Sequence, residues 1–187
     1  DFSRTGAHHQ NGIAERAICT VVEWARTLML HSALHWPEEA DLKLWPFAMS
    51  YAAEIWNNLP NKQNRISPNE IISHTLQEDF TFLKRSHVWG CPVYVLEPAL
   101  QDGRKLPKWS PRSRRGQFLG FSPLHSTQIG LIRNLRTKRV SPQYHVVFDD
   151  LYTTVTNTDE QGISIEQQLK DWTDLVQTGT KQFWDIE

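Results

Sequence analysis

In the stretch His8-His9-Gln10-Asn11-Gly12-Ile13-Ala14-Glu15-Arg16, two imidazoles, two amides, a glycine and one carboxylate stand ahead of an amphipathic run. A helix start presents unpaired N–H groups and partial positive charge, which attract phosphate. Gly12 omits a side chain where a backbone must come close. Glu15 falls in the first turn, where the helix dipole favours its ionised form. Such a carboxylate beside a phosphate site suits Mg²⁺, which takes few protein carboxylates and fills its shell with water and substrate oxygens. An acid in a first turn also serves simply to complement the dipole, and one carboxylate is not a metal site. Local pattern leaves both readings of Glu15 open.

A second chemical cluster lies downstream. Arg104, Lys105, Lys108, Arg112, Arg114 and Arg115 crowd a Pro/Ser-rich loop that also holds Trp109. The net charge of −1 conceals a division along the chain: residues 84–140 carry 12 basic and 2 acidic side chains, flanked by acidic segments on both sides. A local excess of this kind is the footprint of a polyanionic partner. Basic side chains would give salt-dependent, sequence-independent phosphate contacts, and the tryptophan would either stack on a base or anchor the loop.

Other reactive side chains say less. His8 and His9, and His31 and His35 one turn apart, have no cysteine or acid at a zinc-like spacing and read as polar filler. Cys19 and Cys91 are single and distant, so they read as two small buried apolar residues in a reducing compartment. No apolar run approaches the roughly 18 residues that would span a bilayer.

The elements that must position these groups follow from periodicity. Ile13, Ala17, Ile18, Val21, Ala25, Leu28 and Met29 form one stripe, predicting a helix over 12–34 with Asn11 as its cap and Pro37 ending it. Arg16, Thr20, Glu23 and Thr27 make its polar side. A second helix is predicted over 46–58, and a short one over 68–74 with Ser67 and Glu70 closing a capping box. From about residue 80 the pattern changes to short β-prone runs: 88–96, 117–121, 130–135 and 144–148, with a hairpin turn over 134–138 leading to a strand around Val140. Trp24, Trp45, Trp56 and Trp89 are expected in the core. Residues 153–163 read as a linker, and Ser164 as the cap of a final amphipathic helix carrying Ile165, Leu169, Trp172 and Val176.

The segment QNGIAERAICTVVEWARTLML resembles the end of the catalytic core of copia-type retrotransposon integrases, which carry Q-N-G-x-x-E-R leading into a long helix. LWPFAMSYAAEIWNNLP, SPNEII, HVWGCPVYV, RGQFLGF and HVVFDD resemble later segments of that family, in its order, over about 150 of the 187 residues. The resemblance implies an RNase H-like core in which two aspartates and a glutamate hold Mg²⁺ or Mn²⁺. Those metals promote water attack at the element's DNA ends, then attack of the new 3′-OH on target DNA. It implies that Glu15 is the third carboxylate, that Asn11 and Gly12 contact DNA or shape the site, and that Arg16 braces the loop or a phosphate. Arg16 reads equally as a solvated helix charge. The two aspartates are expected before Glu15, and no acid in this chain takes their place, so the chain alone should be inactive. The family's Asn and basic residue three and four positions after the glutamate are replaced by Ile18 and Cys19.

Taken together, the expected architecture is α+β: helices from a truncated RNase H-like core (1–79), a small basic antiparallel sheet or barrel (80–152), and an acidic tail (153–187). The expected function is a DNA-binding fragment of an integrase, with DNA, the rest of a polyprotein and further copies as partners, and no membrane. Its setting would be intracellular, in the nucleus or a virus-like particle. The alternatives are a non-enzymatic nucleic-acid-binding remnant, or a protein-interaction scaffold that would leave the basic block unexplained.

Overall fold

The computed structural model describes residues 12–76, 81–125 and 129–155. The first helix, α1, runs Gly12–His35, and the second, α2, runs Trp45–Asn58. Two short 3₁₀ turns, Pro37–Glu39 and Leu42–Leu44, connect them. The helices form an antiparallel hairpin in which Trp24 meets Trp56 edge-on, ring centroids 5.4 Å apart. Length decides what this hairpin buries. At 1.5 Å per residue α1 spans about 36 Å and α2 about 21 Å, so the start of α1 overhangs by about 15 Å. Ala25, Met29 and Ala33 are buried, whereas Ile18 and Cys19 on the overhang are exposed, against the expectation for both. Trp45, also expected inside, opens α2 and lies 43% exposed. Asn11 and the helix expected from Ser164 lie outside the described residues.

Short helices follow. Helix α3 is Pro68–Ser73, and its capping box forms as read: Glu70 N–H donates to Ser67 Oγ, and Ser67 N–H to Glu70 Oε2 at 2.6 Å. Helix α4 is Thr81–Lys84. Then come β1 (Pro92–Leu96), α5 (Pro98–Gln101), β2 (Ser113–Phe121), β3 (Gly130–Asn134), β4 (Val140–Gln143) and β5 (Val146–Phe148). The strands pair antiparallel in the order β4-β3-β2-β1-β5. This is α+β architecture with an open five-stranded ladder. The ladder cannot be flat. Its two outermost strands are joined only through Tyr144 and His145, a reach of about 11 Å, whereas four strand spacings across a flat sheet take about 19 Å. The sheet therefore curls, and Arg114 on β2 reaches past β3 to Gln143 on β4 at 3.0 Å.

The first strand begins later than its apolar run because Gly90 turns the chain with φ +81°. Its N–H donates to Phe118 O at 2.8 Å, and a Cβ there would overlap the Ser32 side chain of α1. Near the end of β2, Gly120 takes φ +116° where the register to β3 shifts, against the ring of Tyr51.

Helices and sheet share one core. Ala25, Met29, Ala48, Tyr51 and Ala52 pack with Cys91, Val93, Phe118, Leu119 and Ile132. The apolar helix faces are thus covered by the β-strands across the boundary expected near residue 79. Among the described residues no helix is long and apolar enough to cross a membrane.

One buried charge joins the two layers. Arg133 on β3 is 5% exposed; it donates to Asp41 Oδ2 at 2.8 Å, Glu39 O at 3.1 Å and Gln117 Oε1 at 3.2 Å, with Glu39 Oε2 3.5 Å away. Breaking a buried pair from one side strands the other charge. Arg133→Ala should therefore cost about 3–5 kcal/mol in urea unfolding. Asp41→Ala should cost much less in that background than alone; additive losses would show that the pair is not coupled.

Candidate nucleic-acid interface

Antiparallel pairing decides which loops meet. Leu96, at the end of β1, pairs with Ser113 at the start of β2, and Asn134, at the end of β3, pairs with Gly116. The β1–β2 connection (97–112) and the β3–β4 turn (135–139) therefore leave the sheet at the same end. Arg104, Lys105, Lys108 and Arg112 lie exposed in the first segment; Arg136, Lys138 and Arg139 lie exposed in the second. The turn residues were missed as site candidates, although they belong to the same basic block. Sequence distance hid the link, and only the β2–β3 register reveals it.

Both segments are braced. Pro107 and Pro111 fix φ within the loop, and Ser110 N–H donates to Pro107 O at 3.0 Å, closing a turn with Lys108 and Trp109 at its tip. In the other segment Asn134 Oδ1 accepts from Arg136 N and Thr137 N, both at 3.0 Å, and Lys138 takes φ +57°.

The cations divide by what they already touch. Arg114 and Arg115, expected in the loop, belong to strand β2 instead. Arg114 is half-buried and donates to Gln143, and the Arg115 guanidinium lies 5.5 Å from the Trp36 ring centroid. Lys138 pairs with Glu39 at 2.7 Å. The remaining six, Arg104, Lys105, Lys108, Arg112, Arg136 and Arg139, have no carboxylate partner among the described residues. Trp109 is 90% exposed, which removes the loop-anchor reading and leaves Lys108 Nζ 5.6 Å from its ring centroid.

The first candidate cluster lies elsewhere. Glu15 and Arg16 are exposed on the α1 overhang, and nothing in the chain lies within 4 Å of where a Gly12 Cβ would be, so no close backbone approach within this chain explains that glycine. The far end of α1 meets the sheet, twenty residues on. Glu15 therefore stands about 30 Å along the helix from the basic end. Among the described residues no three His, Cys, Asp or Glu side chains gather as a metal site.

Downstream acids are occupied structurally. Asp150 accepts from His87 Nδ1 at 2.9 Å and Val88 N at 2.8 Å. Burial opposes ionisation of Asp149, yet hydrogen bonds from Thr154 and Thr153 outweigh it and hold the carboxyl below its ordinary range. These contacts tie residues 149–155 against the sheet, with Tyr152 packed on His31 and His35 and donating to Trp89 O. Cys91 is fully buried, and burial pushes its thiol up, out of the reactive range.

No protein-family model, curated protein or solved structure matches this chain.

The histidine pair sets a pH dependence. Partial burial, then the neighbouring His35 imidazole, lowers the His31 pKa below its ordinary 6.5. The unfolded chain thus binds the proton more readily, so this contribution to stability is complete above about pH 6.5 and is lost as pH falls through the folded pKa. Melting curves taken on the acid side of neutrality should show a smaller decline for His31→Gln than for the parent. An unchanged decline would place the sensitivity elsewhere.

Proposed function

We propose that this chain binds DNA through the basic end of its sheet, as part of a copia-type integrase. The observation that carries the binding reading is the convergence of two separate, braced segments that present six cations with no internal carboxylate partner. Fixed cations on stiff turns bind phosphate with little ordering cost. The integrase reading is supported by the ordered series of segments described above. On it, the α1–α2 hairpin is the end of an RNase H-like core, and Asn11, Gly12 and Arg16 lie near DNA. The rest of the polyprotein, and further copies of the chain, would be its protein partners.

The described residues do not fit the family's Mg²⁺ or Mn²⁺ site by themselves. Glu15 is one exposed carboxylate without a second beside it among them. No catalytic step follows from this chain. Glu15 would serve as a ligand only when two aspartates from sequence ahead of α1 complete the set. The second reading, a nucleic-acid-binding module without chemistry, is favoured by the distance of about 30 Å between Glu15 and the basic end. In the complete parent protein, Glu15→Gln separates the two: integrase chemistry requires that Mg²⁺-dependent strand transfer be lost with DNA affinity retained.

Binding itself is tested by salt. If the six cations each meet a phosphate, log K for a blunt duplex should fall with log salt at a slope of about −5 between about 50 and 200 mM. The combined variant Arg104→Ser, Lys105→Ser and Lys108→Ser should make that slope shallower by about 3. Affinity independent of salt would overturn the assignment.

A further inference from the structure

The proposed DNA contact leaves Trp109 unexplained. Phosphates are satisfied by cations, and an indole adds nothing to them. The other indoles with described surroundings are engaged: Trp36 and Trp89 are buried, and Trp24 and Trp56 meet edge-on. Trp109 alone is 90% exposed, and it is not on a floppy segment. It sits at the tip of the turn closed by Ser110 N–H to Pro107 O, between two prolines. Leu106, half-buried, roots the turn below it.

Around the ring stand Arg104, Lys105, Lys108 and Arg112. A projecting aromatic plane flanked by backbone-neutralising cations is the arrangement that holds unpaired nucleotides, because every base offers a π-face. An intact duplex offers no such face except at its end: its bases are already stacked on one another inside the phosphate shell. A lipid surface would also accept cations and an indole, but it calls for a wider apolar face. The tip carries one aromatic ring with prolines and charges around it.

We infer that the β1–β2 loop reads unpaired bases, with Trp109 as a stacking platform and its neighbouring cations on the flanking phosphates. The preferred ligand is then DNA with a single-stranded flank or frayed end, rather than continuous duplex. This inference rests on the DNA-binding reading and narrows it to one structural class of DNA.

The test uses the full chain with three labelled DNAs at fixed salt: a blunt duplex, the same duplex with an unpaired flank, and a single strand. The parent should bind the two DNAs with unpaired bases about ten-fold more tightly than the blunt duplex. Trp109→Ala should abolish that preference while leaving blunt-duplex affinity within about two-fold, and Trp109→Phe should retain most of it. An indole so exposed can be replaced without loss of fold, which far-UV circular dichroism checks. Equal losses on all three DNAs, or no loss, would overturn the stacking role while the salt dependence kept the phosphate reading intact. Absence of binding to every DNA would remove both. Binding to anionic vesicles that depends on Trp109 and displaces the single strand would assign the tip to a membrane surface instead.

Discussion

The Arg133 guanidinium is the joint on which the two layers of this molecule depend. A charge taken so far from water is costly unless its hydrogen bonds are satisfied. Here the satisfying groups come from two layers at once: Glu39 and Asp41 from the connection between α1 and α2, and Gln117 from the neighbouring strand. An apolar contact tolerates sliding, but a bonded guanidinium does not. The pair therefore fixes how the helical hairpin sits on the sheet. Glu39 extends the joint by also accepting Lys138, and Arg115 lies over Trp36 at the end of α1. The turn and strand that bear cations are thus held by the connection that closes the helical hairpin.

Much of this architecture is legible in residue order, for identifiable reasons. The capping box at Ser67 and Glu70, the helix stop before Pro37 and the hairpin turn at Asn134 each depend on neighbours in sequence. What was not legible depends on length and register. The apolar stripe of α1 shows which side faces inward but not how far the covering partner extends. With α2 only 14 residues long, Ile18 has nothing to pack against. Arg114 and Arg115 look like loop residues because Pro111 and Ser113 surround them. Pairing to Val95 and Tyr94 makes them strand.

The segments that carry the integrase resemblance gain a physical meaning here. Gly90 occupies a left-handed turn against Ser32, and Gly120 one against Tyr51. Glu70 caps a helix, and Asp149 and Asp150 tie down the residues that follow β5. Each holds the fold. A series of such residues in order therefore speaks to architecture, and says little about chemistry by itself. Function must rest instead on side chains that the fold does not use. These are few: Glu15 and Arg16 on the overhang, the six unpaired cations, and Trp109.

Charge counted along a sequence mixes two populations. Of the basic residues between 84 and 140, Arg133 is consumed inside the protein, while Arg114, Arg115 and Lys138 are drawn toward a glutamine, an indole and a carboxylate. The remaining cations count differently because their positions are set in advance. A flexible basic tail must be ordered when it binds, which lowers its affinity for each contact made. Prolines on both sides of the Trp109 turn, and Asn134 bonded to two successive N–H groups, remove that cost before a partner arrives. A smaller number of charges held on rigid turns can therefore define a binding surface better than the larger number that the composition suggests.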